Sequence, residues 1–366
     1  MQVRTVRRSL RRGAVLLMAF WCLMALSFTV YGAHEACVLN YRVFANLVEN
    51  EQCFWAAVGA VQKTAAWLVT QDPPDSCIKT GQTPEWFRGE TLGGARFEIS
   101  QRPYEPTDSI RYNVEDEAAR INLNRCPSNV APGPSYLGPT PSVVLETLVA
   151  GVKGWESRAG EVQNAVEEAK STIREKRGSG AGEAVENLDA FRHPYELFEL
   201  APAVDPSLWF GEDYNENYIL DPNECDGDAT PPADNGDSIL DPGLRDEVTT
   251  FSDGKFNPLT APRERLDVML ADFPAELRDQ IYAGRQEVSD PAAFESWFPE
   301  GDRQRTAYRA FAREYLTGET STFRVTAQVY QHDGTWRGCI EELLRLERDP
   351  SDQNRRFFTS VHRYYR

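Results

Sequence analysis

Histidine is scarce in this 366-residue chain: the four present (His34, His193, His332 and His362) are scattered and give no metal-ligand spacing. The seven cysteines include no C-x-x-C pair, which excludes zinc-ribbon and thioredoxin-type motifs. No G-x-S-x-G occurs and no nucleophile stands near a base, so nothing supports an enzyme of the hydrolase type. Positive charge is short as well. Against 56 Asp and Glu there are 39 Lys and Arg, a formal net charge of -17, which argues against nucleic acid as a partner and favours cations. No repeat of solenoid length is visible. What remains is a hydrophobic fraction of 41%, enough to bury a sizeable core.

The basic residues that do exist open the chain. Arg4, Arg7, Arg8, Arg11 and Arg12 form a cluster, Gly13 follows, and no charge occurs from Ala14 to Ala33. About 20 helical residues reach roughly 30 Å, the hydrocarbon thickness of a bilayer. The arginines predict a cytoplasmic N-terminus, with the rest of the chain on the other side. A cleavable secretory signal is the alternative. The run is long for one, and Tyr31 and His34 stand where small residues would be wanted. Val43, Leu47, Phe54, Val58, Val61, Ala65 and Leu68 continue at helical spacing until Pro73 and Pro74. The pattern predicts one helix of about 55 residues over 14–71, a membrane stem that enters a soluble domain. Cys37 and Cys53 would be about 24 Å apart on it, too far to pair; other cysteine pairings stay open.

Beyond the stem, residues 94–124 read as strands, punctuated by Pro103, Pro106 and Asp108. Residues 127–141 read as a loop, Pro141 to about Arg177 as helix, and Gly178 to Gly182 as a flexible joint. A short helix around Pro194–Leu200 precedes an acidic segment from Glu212 to Asp241. Pro262 to about Leu316 is again helical, and Thr322 to Arg363 returns to strand around an Asp333-Gly334 hairpin turn. This order predicts an α+β fold with an inserted α-helical subdomain. Residues 72–126 and 245–366 would form one α+β body with an antiparallel sheet, and 127–244 the insert.

The acidic segment carries the clearest chemistry. Asp213, Asn215, Asn217, Asp221 and Glu224 fall at positions 1, 3, 5, 9 and 12 of a calcium loop, with the Ile219 carbonyl at position 7. Tyr218 replaces the glycine of position 6, a departure from a strict EF-hand. Asp226, Asp228, Asp234, Asn235, Asp237 and Asp241 follow as a second cluster, and no lysine or arginine lies between Glu212 and Asp241. Carboxylates this dense repel one another, so one or two Ca2+ ions would relieve a real cost. The alternative is a solvated acidic loop without an ion.

The N-terminal pattern resembles that of type IV pilin-class precursors: arginines, Gly13, then an apolar stretch leading into an amphipathic helix. The resemblance implies cleavage between Gly13 and Ala14, with 1–13 as leader. Met18 stands where most such proteins carry a glutamate, a lack characteristic of the K-type minor pseudopilins. Three more stretches are similar to that family (general secretion pathway protein K) and come in its order. They are Asp116-Glu117 with Arg120 and Ile121-Asn122-Leu123-Asn124; Tyr195-Glu196-Leu197 leading to Gly211-Glu212-Asp213; and Thr249-Thr250-Phe251-Ser252 with Asn257 and Thr260-Ala261-Pro262. Gly154-Trp155-Glu156-Ser157 departs from the family's acidic run around a tryptophan, and Leu259 replaces an asparagine.

The resemblance implies a pilin-like fold with a calcium-binding insert. It also implies a non-enzymatic role at the tip of a type II secretion pseudopilus, anchored in the bacterial inner membrane with its globular part in the periplasm. Implied partners are the other minor pseudopilins and the major pseudopilin, with the outer-membrane channel or the cargo as further contacts. From the chemistry alone, a membrane-anchored calcium-binding surface or adhesion module is the other reading.

Overall fold

The computed structural model describes residues 3–101, 112–125, 149, 159–178, 190–216, 220–227, 234, 236, 240–270, 273–285, 287–288, 290–297 and 303–365. The expected 127–141 loop and most of the 178–182 joint lie outside these residues, as do Gly154–Ser157.

Helix α1 runs unbroken over Val3–Thr70, 68 residues. It starts before Gly13 rather than after it. Arginine is a good helix former, and one interior glycine costs only about 1 kcal/mol, too little to end a helix anchored on its far side. Its apolar run makes it long and apolar enough to cross a membrane. Val15 to Tyr31 show exposed apolar side chains all round, as a membrane span requires. Past Cys53 one face becomes buried: Ala56, Ala57, Ala60, Val61 and Leu68 recur at three- and four-residue spacing. The small residues bring the helix close to what it covers. At Gly59 an added Cβ would lie 2.6 Å from Leu92 Cδ2.

That face covers an antiparallel sheet in the order β1 (Glu90–Leu92), β2 (Ala95–Ile99), β6 (Thr322–Tyr330), β7 (Trp336–Asp349), β8 (Asp352–Tyr365). The two-residue strand β3 (Glu115–Asp116) extends the β2 line along β6, pairing Glu115 with Arg324 and Asp116 with Phe323. Alternation sorts the residues. Phe97, Ile99, Phe323, Val325, Ala327, Ile340 and Leu344 share one core with α1. Thr322, Arg324, Glu341 and His362 occupy the other face. The turn at Asp333-Gly334 closes β6 onto β7, with Gly334 at φ 87° and Gln331 N–H bonded to the Thr335 carbonyl at 2.8 Å. A long N-terminal helix laid across one antiparallel sheet is the pilin-like layout.

Residues 102–111 lie outside the described residues. Among the described residues of the 94–124 region, β2 is followed by β3 and β4 (Ile121–Asn122), each next to a 3-10 turn, Glu117–Ala119 and Leu123–Arg125. The reason is local: the Asp116 side chain accepts the Ala118 N–H at 2.8 Å and the Asn122 side chain accepts the Asn124 N–H at 2.9 Å, so the backbone turns instead of extending. β4 pairs in parallel with β5 (Val248–Thr249) in a separate two-stranded sheet.

A second hydrophobic core gathers Ala119, Ile121 and Leu123 with the helices Ala159–Gly178, Tyr195–Leu200, Pro206–Phe210, Leu244–Glu247, Arg263–Met269, Ala275–Gly284 and Arg303–Tyr315. The cores divide the chain differently from the expected boundaries. The helices between Arg263 and Tyr315 bury Leu266, Leu277, Ile281, Tyr308 and Phe311 among the helical residues, not against the sheet. An amphipathic helix settles where its apolar stripe is matched, and the face of the sheet opposite α1 offers them Arg324 and Glu341 instead.

Candidate functional site

Two polar regions lie where the helical block meets the rest. The first is a buried seam built from the motif stretches. Asp116 is 2% exposed, and its Oδ2 accepts hydrogen bonds from Asn257 Nδ2 (2.8 Å), Thr260 Oγ1 (2.7 Å) and Thr320 Oγ1 (2.7 Å). Burial pushes the Asp116 carboxyl up to about 6, against the pull of those donors, because none of them carries a charge. Its neighbour Glu117 is fully buried yet ends on the other side of normal. Burial alone would raise it, but the Arg324 guanidinium, at 2.7 and 2.9 Å, and then Arg120 outweigh that and hold it low. Thr249 Oγ1 adds a hydrogen bond at 2.6 Å. Arg324 also pairs with Glu341, itself fully buried. Asn122 Nδ2 donates to the Ser252 carbonyl (3.1 Å) and hydroxyl (2.9 Å). Asn124 pairs both ways with the Phe191 backbone, donating at 2.9 Å and accepting at 2.6 Å. Asp116, Glu117 and Asn122 thus fasten the first motif stretch to the third, Glu117 fastens it to β6, and Asn124 ties it to Phe191.

The second region is the acidic segment. Its neck is a backbone crossing, with Gly211 bridged to Pro242. Glu212 ties it by accepting the Asp241 N–H at 2.9 Å. Cβ atoms here would collide: one on Gly243 would lie 2.3 Å from the Trp209 carbonyl oxygen, one on Gly211 2.5 Å from that of Asp241. Inside the loop, Asp213 is fully buried and pairs with Arg245 at 3.1 Å. Arg245 reaches Glu216 at 2.9 Å and Asp246 at 3.6 Å. Glu216 takes the left-handed conformation, φ 61°, and also accepts the hydroxyl of Tyr195 from the second motif stretch. Asn215 Nδ2 donates to Asp221 Oδ2 at 2.6 Å. Glu224 folds back in a capping box, its Oε2 accepting the Asp221 N–H at 3.1 Å.

The other carboxylate oxygen of Glu224, Oε1, is buried with no hydrogen-bond partner, in a residue 1% exposed. Burial, then the charges of Asp213 and Asp221, raise the Glu224 carboxyl above its ordinary value. The backbone N–H groups of Asp221 and Tyr214 pull the other way. Farther along, Asp234 Oδ1 accepts the N–H groups of Gly227 and Gly236, both at 2.7 Å. Burial opposes its ionisation, yet those donors and Asp226 hold it low. Among the described residues, no three His, Cys, Asp or Glu side chains converge closely enough to grip an ion. Asn217, Ile219, Asp228, Asn235 and Asp237 lie outside the described residues.

Sequence reasoning missed Arg245, Arg324 and Thr320. Arg245 is the first basic residue past the acidic run, so counting charges up to Asp241 stops just short of it.

No protein-family model matches the chain, and no curated protein matches it in sequence. Among solved structures, it is similar to a chain of the GspK–GspI–GspJ complex from the enterotoxigenic Escherichia coli type 2 secretion system. The identity is 11%, the match covers 86% of this chain and 96% of that one, and the TM-score is 0.49.

Proposed function

We propose that this protein is a minor pseudopilin of a type II secretion machine, seated at the tip of the periplasmic pseudopilus, where it initiates assembly and helps protein export across the outer membrane. One observation carries the reading. A single unbroken helix contains an arginine cluster and Gly13, is then apolar over a membrane length, and becomes the core helix of an antiparallel sheet. A filament subunit needs such a helix, extracted from the bilayer at one end and holding a head at the other. An enzyme or an adhesin has no need of that continuity. The helical block attaches beside the far end of α1, where Lys79 reaches the Gly318 carbonyl at 3.3 Å and Thr320 reaches Asp75 at 3.3 Å. Bulk at that end blocks addition of another subunit above, which suits a tip.

In this reading the stem packs with other minor pseudopilins and the major pseudopilin, and the acidic loop takes calcium through Asp213, Asp221 and Glu224. The arginines keep the N-terminus cytoplasmic. The test is processing. Intact-mass measurement of membrane-extracted protein should show a mature chain that begins at Ala14. A mature start near Ala33 means an ordinary signal peptide, and the pseudopilin reading fails.

A further inference from the structure

Two histidines face each other across the joint between the helical block and the sheet. His193 stands just ahead of the helix Tyr195–Leu200, which opens the second motif stretch. His362 lies on β8, and the two ring centroids are 5.0 Å apart. Phe251 packs on both rings, at 5.5 and 5.9 Å, and Tyr364 lies 5.4 Å from His193. Hydrogen bonding fixes the tautomer of His193. Its Nδ1 accepts the Tyr195 N–H at 3.0 Å, so the single proton of the neutral ring sits on Nε2. Nε2 is buried and has no acceptor among the described residues. We propose that the His193–His362 pair is an acid-operated latch, which holds the helical block against β8 while both rings are neutral and lets go when they take up protons.

A second proton has no place in the closed joint. It would sit on Nδ1, where the Tyr195 N–H already points, and two donors would then face each other. The helix Tyr195–Leu200 would lose the bond that ties its first residue. Two imidazolium rings at 5.0 Å would also repel each other. The surrounding groups do not relieve this. Arg324 on β6 and Arg245 in the helix Leu244–Glu247 line the same cavity as His193 and are themselves cations. The nearby carboxylates already have guanidinium partners: Glu341 on β7 has Arg324, Asp246 has Arg245 at 3.6 Å, and Glu196 has Arg177 at 2.9 Å. Tyr195 and Tyr364 add rings but no charge. In keeping with this, burial first and then His362 lower His193 from 6.5 to about 4, and burial lowers His362 as well. A histidine lowered in this way holds the joint fully above pH 6.5 and loses its grip as pH falls toward 4. The latch needs neither calcium nor a partner protein.

Hydrogen–deuterium exchange of the full chain in detergent micelles, at pH 7 and pH 4 with correction for intrinsic exchange, reads the latch directly. Protection over 195–200 and 360–365 should fall about tenfold or more in acid, while α1 from Ala56 to Leu68 keeps its protection. His193→Asn keeps an oxygen to accept the Tyr195 N–H and cannot take a proton, so most of the acid loss should disappear. No loss in the wild type, an equal loss in His193→Asn, or a parallel loss along α1 each overturns the proposal. Should His193→Asn fail to fold, His362→Phe decides. It keeps a ring against Phe251 and removes one of the two charges, so the acid loss should shrink, and an unchanged loss overturns the latch.

Discussion

At the seam, Glu117 and Glu341 flank Arg324 in the protein interior, while in the acidic loop Asp213, Glu216 and Asp246 share Arg245 and Glu224 keeps one oxygen without a partner. Both regions bury carboxylates around one guanidinium, but they differ in reach. The seam joins residues 207 positions apart, so it depends on the whole fold. The loop pair is 32 positions apart and closes a local excursion. They differ in completeness too. Seam carboxylates receive charge and hydroxyl or amide donors, whereas in the loop Glu224 Oε1 makes no close hydrogen bond. A complete network fixes two layers to each other whatever the medium contains. An incomplete one responds to it.

Breaking the seam should therefore have the larger effect. Arg324→Met removes the nearest cation of Glu117, leaving it Arg120 at 3.9 Å, and the ion pair to Glu341, and breaking one partner of a buried pair costs about 3–5 kcal/mol. Chemical denaturation of the full chain should show this loss, with the midpoint lowered whether calcium or chelator is present. A loss under about 1 kcal/mol means that water reaches the seam and the two regions do not differ as described.

Acid sharpens the comparison from within the seam. Asp116, raised to about 6 from 3.8, favours the folded state when protonated. Its contribution is full below pH 3.8 and is lost as pH rises through 6. His193 packs against His362 at 5.0 Å between the helical block and β8, and burial followed by His362 lowers it to about 4 from 6.5. Its contribution is full above pH 6.5 and is lost as pH falls toward 4. The two oppose each other between pH 4 and 6. Relative to wild type, Asp116→Asn should lose stability more steeply on acidification in that window, and His193→Phe less steeply. One proton sets a ceiling of about 1.4 kcal/mol per pH unit on either difference. Parallel stability–pH curves for all three proteins mean that neither group titrates differently on folding.

How much of this was legible in the sequence follows the range of the interactions. The uncharged run and Pro73-Pro74 predict α1 at its far end, and alternation with Asp333-Gly334 predicts β6 to β8, because those signals are local. The strands β3, β4 and β5 have two residues each and no pattern of their own; a partner's backbone makes them. The first and third motif stretches could be singled out, but not that Thr320 and Arg324 complete their network from about 60 residues beyond the third stretch. Arg245 shows the same limit at short range. Nothing marks a residue just past an acidic run as its counter-ion until the neck at Gly211 and Gly243 folds it underneath.

The smallest expected effect tests the open side of the loop. Glu224→Gln keeps an oxygen for the Asp221 N–H, now held at 3.1 Å, and removes a negative charge near Asp213 and Asp221. In chelator the substitution should change stability by less than about 1 kcal/mol, and toward greater stability, because an exchanged hydrogen-bonding group is nearly neutral when its main partner is kept. In calcium the order should reverse. A ligand that binds only the folded form adds about 2.7 kcal/mol at a hundred times its dissociation constant, and an amide in place of a carboxylate weakens that binding. Thermal melts of both proteins with calcium and with chelator give the comparison directly. A loss of 2 kcal/mol or more in chelator would show that Glu224 acts as a structural cap. Its unpaired oxygen would then be a by-product of the turn, and the loop would be as complete without an ion as the seam is.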